Sequence, residues 1–209
     1  MQKIVALWSC PRSRSTVFER MMLERGDFAT HHEPFGPYFY DQTREQRDVE
    51  VDPSREVCFD KILHNLREQV QTKPVFIKEF PLHIISRVTD DFLESFDHAF
   101  LVRHPEQVGA SYLAGWPDVR ESELGYSELV QMFDLVQAYK GSPPAVINAD
   151  DLVSAPESTV KAFCRAMNIP FLPKSLSWKP ERKDEFVYIE GGRWHESLNQ
   201  SIGFEAKRN

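Results

Sequence analysis

The sequence predicts an α/β fold, a single domain over residues 1–209 with a central parallel sheet flanked by helices and a strand–loop–helix unit at the N-terminus. Three observations predict it. Short apolar runs alternate with segments of helical period, which is the pattern of a parallel sheet covered on both faces. A chain of 209 residues supplies one real core and not two comfortable ones. Polar or charged groups stand at the ends of four apolar runs, at Ser13 to Thr16, His32/Glu33, Lys78/Glu79 and Arg103/His104. Ligands of open parallel sheets bind beyond those strand ends.

Ile4 to Trp8 reads as a buried strand, and Val17, Phe18, Met21 and Met22 recur at helical spacing after it. Phe28 to Glu33 is a short second strand, stopped by Pro34. Residues from about Phe35 to Pro53 show no sustained period and read as a loop or irregular lid. Its aromatic residues Phe35, Tyr38, Phe39 and Tyr40 are as consistent with packing as with ligand contact. Arg55 to Gln71 is helical, with Val57, Ile62, Leu63, Leu66 and Val70 on one side. Pro74 to Lys78 and His98 to Arg103 are the third and fourth strands, followed by helices over Pro105–Leu113 and Tyr126–Tyr139. Ala145 to Ile147 is the fifth strand, and Pro156 to Met167 an amphipathic helix.

The turn Pro11-Arg12-Ser13-Arg14-Ser15-Thr16 falls between the first strand and its helix. Free backbone N–H groups and the helix dipole favour an anion there. Guanidinium forks and hydroxyls add donors suited to phosphate or sulfate. A plain N-cap needs one hydroxyl and no arginines, so the anion loop is the better reading. The loop has no glycine and no lysine, so it is not a Walker A loop. A cysteine phosphatase would need an arginine six positions after Cys10; that position is Thr16. Cys10 therefore reads as a buried strand-end cysteine.

A net charge of −7 argues against a nucleic-acid binder, while leaving room for a local basic pocket. The 3 cysteines at unrelated spacings suit a reducing compartment, and no apolar run reaches membrane-spanning length. With no leader-like segment after Met1, the expectation is a cytoplasmic protein that engages no membrane. Among the histidines, His64, His83, His98 and His104 show no metal-ligand spacing with cysteine.

The fourth strand runs into Arg103-His104-Pro105-Glu106-Gln107-Val108-Gly109-Ala110-Ser111. An arginine ending a strand, with a serine eight residues on in the next helix, resembles the 3′-phosphate motif of the sulfotransferases. Pro11 to Val17 aligns with that family's P-K-S-G-T-T-W loop, position by position. Asn148-Ala149-Asp150-Asp151-Leu152 through Pro156 to Ile169-Pro170-Phe171 is similar to its strand-E-D-L-x-x-x-P-helix-G-x-P-F segment. Gly192-Arg193-Trp194 is similar to its G-x-W element. The ordered set covers nearly the whole chain.

The resemblance implies a P-loop-like fold and transfer of a sulfuryl group from 3′-phosphoadenosine 5′-phosphosulfate, leaving 3′-phosphoadenosine 5′-phosphate. It implies Arg12, Ser13, Arg14, Ser15 and Thr16 on the 5′-phosphate, Arg103 and Ser111 on the 3′-phosphate, and Arg12 and Lys78 as catalytic cations. No metal is implied. The expected partners are the nucleotide donor and an unidentified acceptor with a hydroxyl or amine, a small molecule or carbohydrate; a homodimer is left open. Two other functions stay open: a nucleotide-binding module of the same fold without transfer, and a small-molecule kinase with a degenerate phosphate loop.

The departures from the family pattern are specific. Arg12 replaces the loop lysine, Arg14 the glycine and Val17 the stacking aromatic, leaving Phe18 or Trp194 to stack on adenine. The R-K-G triplet is missing at its usual spacing; Arg182 and Lys183 lie too far upstream, and Arg193 is the replacement. The third strand ends Lys78-Glu79-Phe80, without the histidine that many members use as base. Glu33, in His32-Glu33-Pro34-Phe35, resembles the glutamate that other branches place there, and burial is expected to lift its pKa toward neutrality. The alternatives are an ion pair of Glu33 with Arg12 or Arg14, or a base at His32, His83 or His195. His31 and His32 are adjacent in a strand and face opposite ways.

Overall fold

A computed structural model describes residues 4–43, 50–186 and 195–204. Strand β1 (Ile4–Ser9) leads through the arginine loop into helix α1 (Ser15–Arg25) and strand β2 (Ala29–His32). Helices α2 (Gly36–Gln42) and α3 (Phe59–Gln69), strand β3 (Val75–Glu79), helix α4 (Asp90–Glu94) and strand β4 (Phe96–Val102) follow. Helices α5 (Pro105–Leu113) and α6 (Tyr126–Lys140), strand β5 (Ala145–Asn148), then α7 (Ala149–Ser154), α8 (Pro156–Ala166) and α9 (Glu196–Asn199) complete the order.

The five strands form one parallel sheet in the order β2-β3-β1-β4-β5. The register sets Trp8 beside Glu79, Ser9 beside Leu101, and His32 beside Lys78. All five carboxyl ends therefore lie along one edge, with β1 in the middle. Alternation along β1 divides the core between two faces. Ile4, Ala6 and Trp8 pack with Ile62 and Leu66 of α3 and Met132 and Val136 of α6. Val5 and Leu7 pack with Phe18, Met21 and Met22 of α1 and Val160 and Phe163 of α8. No described helix is long and apolar enough to cross a membrane.

Three local expectations need correction. The segment after Pro34 is not all loop, because α2 forms there with Pro37 in its first turn, where the missing N–H costs nothing. Phe35 is fully buried against Phe59 and Phe92, so it belongs to the core. Val57 is exposed rather than on the core side of a helix. The Glu56 carboxylate accepts from the N–H groups of Val57 and Cys58 and holds the chain extended, so α3 starts at Phe59.

Candidate active site

The loop after β1 is built on unusual backbone. Arg12 (φ 62°) and Arg14 (φ 67°) are both left-handed, a conformation that costs an L-residue roughly 1–2 kcal/mol. Arg14 stands where the resembling loop has glycine and keeps the region that glycine favours. The substitution thus adds a cation without moving that residue out of the left-handed well. Strain of this kind collects where a function holds it.

Side chains from three elements meet over this loop. Arg12 Nε donates to Ser111 Oγ of α5 at 3.2 Å. Arg103, directly after β4, donates from Nη1 to the Arg12 carbonyl at 2.8 Å and from Nε to Gln107 Oε1 at 3.0 Å. Arg14 donates to the Ala149 carbonyl at 3.1 Å and pairs with Asp150 at 3.2 Å. Burial, and then Arg14, pull the Arg103 guanidinium pKa down. Ser13 Oγ is buried with no hydrogen-bond partner among the described residues. A donor-capable hydroxyl without a partner, beside three guanidinium groups, is the chemistry of an anion site. Ser15 is buried at the first position of α1 and Thr16 half-buried after it.

Two sequence readings are settled by burial. The Cys10 thiol is pushed up to about 12 by burial and by Glu128, so it is no thiolate nucleophile. Phe18 is fully buried among Phe76, Phe163 and the β-sheet, so it cannot stack on an adenine outside the core. Arg193 and Trp194 lie outside the described residues.

At the other end of the same edge, β2 and β3 deliver a network of buried ions. Lys78 and Glu33 form a hydrogen-bonded ion pair, with Lys78 fully buried and its ammonium 4.3 Å from the Phe80 ring centroid. Glu33 sits in a left-handed turn (φ 44°), its N–H bonded to the Lys78 carbonyl at 2.8 Å. Burial alone would raise the Glu33 carboxyl, but Lys78, His32 and His83 hold it well below the ordinary carboxylate range. The expected lift toward neutrality is therefore reversed, because Glu33 meets the buried ammonium of Lys78. His31 turns away to bond Gln69, while His32 turns inward to Glu19.

Glu79 closes the turn after β3. One of its oxygens accepts from Phe35 N (2.7 Å), and the other from Phe80 N (2.7 Å) and lies 2.7 Å from His83 Nδ1. His83, in the turn after the strand, is buried and packs against Phe39, Tyr40 and Phe80. A cavity of about 450 Å³ lies beside Glu33, lined also by Thr30, His31, Arg55, Asn65 and Gln69. Glu19 and the anchoring role of Glu79 escaped the sequence reading. Glu19 had one signal: it shares the face of Ser15, Phe18 and Met22, all buried on α1.

Comparison with known proteins fits this geometry. A family model described as a sulfotransferase domain matches residues 2–208. An Arabidopsis thaliana protein called branched-chain-amino-acid aminotransferase-like protein 1 is 30% identical over 213 residues, 99% of this chain and 37% of its own length. The chain spans little more than a third of the curated relatives it matches. The sulfotransferase domain from the curacin biosynthetic pathway superposes with a TM-score of 0.54 at 17% identity, over 97% of this chain and 84% of that one. A mouse sulfotransferase complexed with PAP gives 0.53 at 11% identity, over 83% and 61%. Along nearly its whole length, the chain belongs to the sulfotransferase domain family.

Proposed function

We propose that this protein transfers a sulfuryl group from 3′-phosphoadenosine 5′-phosphosulfate to a hydroxyl or amine of a small-molecule or carbohydrate acceptor. The observation that carries the reading is the meeting of Arg12, Arg103 and Ser111 over a loop whose Ser13 hydroxyl is buried and unpartnered. The donor, when bound, supplies a sulfuryl group whose bond to a bridging phosphate oxygen breaks with its electron pair leaving on that oxygen, as the acceptor atom bonds to sulfur.

The chain's own residues do the rest. Ser13, Arg14, Ser15 and Thr16, at the amino end of α1, hold the 5′-phosphate. Arg12 and Lys78 place positive charge at the leaving oxygen, a matter of positioning and electrostatics. Arg103 and Ser111 select the 3′-phosphate, and Arg193 adds a cation near the C-terminus. Glu33 receives the acceptor's proton once Lys78 turns from it toward the donor, which releases the carboxylate's pKa upward. The cavity beside Glu33 takes the acceptor. The PAP complex of the mouse relative supports the donor identity. Free thiols at Cys10, Cys58 and Cys164 support a reducing, cytoplasmic setting.

One observation favours the competing module without transfer: Glu33 rests in an ion pair, as a weak base. A kinase reading is disfavoured, since Asp150 is engaged by Arg14. The test is thermal. 3′-Phosphoadenosine 5′-phosphate should raise the melting temperature far more than adenosine 5′-phosphate or ATP with magnesium, because a ligand that binds only the folded state stabilises it. Equal shifts would end the 3′-phosphate assignment. Sulfuryl transfer to an acceptor found by screening separates enzyme from module.

A further inference from the structure

Behind the Glu33–Lys78 pair lies a buried acid that the transfer chemistry above does not use. Glu19, on α1, is fully buried. Its Oε2 lies 2.6 Å from His32 Nδ1, and its Oε1 has no hydrogen-bond partner among the described residues. The other ring nitrogen, His32 Nε2, faces Glu33 Oε1 at 3.5 Å, the same oxygen that meets Lys78. His195 packs edge-on against the His32 ring (centroids 5.1 Å, 85°), and Phe186 does so at 5.4 Å, so the ring is fixed in place.

The 2.6 Å contact must contain a proton, and its position decides the ring's tautomer. With the proton on Glu19, the carboxylic acid donates to Nδ1, and a neutral imidazole then carries its hydrogen on Nε2. With the proton on the ring, either the imidazolium carries hydrogen on both nitrogens, or a neutral ring carries it on Nδ1 alone beside an ionised Glu19 and leaves Nε2 bare. A fully buried Glu19 whose Oε1 meets no donor among the described residues favours the protonated acid over the carboxylate, so Nε2 presents an N–H toward Glu33. Burial pushes the Glu19 carboxyl well above its ordinary value and pushes His32 down to about 3, which selects the neutral form. Without Glu19, the ring could carry its hydrogen on Nδ1 and turn a lone pair toward the Glu33 carboxylate.

We propose that Glu19 and His32 form a positioning pair for Glu33, in which Glu19 fixes the His32 tautomer so that Nε2–H faces Glu33 Oε1. This rests on the reading of Glu33 as the group that takes the acceptor's proton. At 3.5 Å the contact is longer than a hydrogen bond while Lys78 holds the same oxygen. It can close to a hydrogen bond when Lys78 turns to the donor. A base oriented by a second group, itself oriented by a third, is the general logic of activated sites.

The experiment is nitrogen-15 spectroscopy of the full chain with labelled histidine at neutral pH, where each ring nitrogen reports whether it carries hydrogen. His32 should show a protonated Nε2 and an acceptor-type Nδ1. Glu19→Leu should bring in the Nδ1–H form, and Glu19→Gln, whose amide can donate to Nδ1, should restore the original pattern. A bare Nε2 in the native protein, or an unchanged spectrum in Glu19→Leu, overturns the pairing. At saturating donor, Glu19→Leu should lower kcat about 10- to 100-fold with donor affinity retained, and Glu19→Gln should recover most of it. Unaltered kcat in Glu19→Leu overturns the positioning role.

Should Glu19→Leu fail to fold, His32 gives the second route. His32→Gln can place an amide donor where Nε2 stands, whereas His32→Asn reaches only the Nδ1 position. The glutamine variant should be the more active by about tenfold, and equal activities count against the proposal. The spectrum is read without turnover, so an active Glu33→Gln ends the reading of Glu33 while a bare Nε2 ends the pairing.

Discussion

At the carboxyl ends of β1 and β4, three guanidinium groups gather, Arg12 on Ser111, Arg103 on the Arg12 carbonyl and Arg14 on the exposed carboxylate of Asp150. At the ends of β2 and β3, each titratable side chain of the cluster has an internal partner: Lys78 with Glu33, His32 with Glu19, His83 with Glu79. The first region gathers guanidinium groups, strained backbone and a buried hydroxyl without a partner among the described residues. The second is paired internally and largely buried, with Glu33 and His32 at the wall of the cavity. Buried charges survive only when paired, and removing one partner strands the other. A site that must accept an anion gathers donors, while a site that must hold one geometry is paired in advance. Substitutions in the two regions should therefore fail in different ways.

The largest effect is expected in the closed region. Glu33→Gln should lower turnover at saturating donor by about 10²–10⁴, the usual contribution of a general base. Donor affinity should stay equal or tighten, because Lys78 is left to face the donor. Stability without donor should fall, by about 3–5 kcal/mol at most, since a buried ammonium loses its counter-ion. Calorimetric donor affinity beside single-turnover transfer reads both. Weakened donor binding with intact turnover would make Glu33 a structural residue, and the base would then be sought at His32, His83 or His195.

The open region should lose binding rather than turnover. Arg103→Ala removes a charge-assisted donor from the 3′-phosphate subsite and should weaken 3′-phosphoadenosine 5′-phosphate by about 1.5–3 kcal/mol, roughly 10- to 150-fold. Its effect on adenosine 5′-phosphate should be slight. Equal losses for both ligands would mean that Arg103 acts only by bracing the loop through the Arg12 carbonyl.

How far each region was legible in the sequence follows the same division. Strand alternation, the arginine loop and the Arg103–Ser111 spacing are local patterns, and the structure brings Arg103 and Ser111 each to Arg12. The ion network of the closed region is long-range: Glu33 meets Lys78 from a neighbouring strand, and Glu19 meets His32 from across the face of the sheet. Their pairing depends on register, which periodicity does not give. The pKa direction of Glu33 was misread for that reason, since burial was visible in the pattern but Lys78 was not assigned to it. Phe18 failed as an adenine stacker for a simpler reason. Its helix turns it into the core, and a loop neighbour in sequence is not a neighbour in space.

The closed region should also control acid sensitivity. Burial, and then Lys78, hold His32 down at about 3; burial, and then His32, do the same to His195. Both are bases with lowered folded pKa values, so the unfolded chain takes up protons that the folded chain refuses. Their contribution is fully present above about pH 6.5 and is lost as pH falls toward 3. Glu33 has the same sign, being held low, and loses its contribution as pH falls through its folded value. Glu19 has the opposite sign, because its raised carboxyl favours the fold below about 4.5 and stops doing so as pH rises through its folded value. Denaturant titrations between pH 6.5 and 5 should show stability falling with acid, each histidine contributing up to about 1.4 kcal/mol per pH unit and Glu19 offsetting up to the same amount. His195→Gln should reduce that slope by up to about 1.4 kcal/mol per pH unit. An unchanged slope would mean that His195 titrates alike in both states.

The smallest effect is expected where the two regions' rules meet, at Arg14. Its left-handed backbone is costly for arginine by roughly 1–2 kcal/mol and nearly free for glycine. Its pair with Asp150 is part-exposed and worth at most about 1 kcal/mol. Its bond to the Ala149 carbonyl adds a contribution of similar size. Arg14→Gly should thus relieve strain and lose contacts in nearly equal measure, leaving stability within about 1 kcal/mol of the parent. Arg14→Ala keeps the strain, loses the contacts and should be the less stable of the two. Donor affinity should fall by a similar amount in both, since each removes the same cation. Comparing the pair by denaturant midpoint and by binding of 3′-phosphoadenosine 5′-phosphate separates what the backbone contributes from what the charge contributes. If alanine and glycine were equally stable, the left-handed conformation would not be what the loop imposes on residue 14.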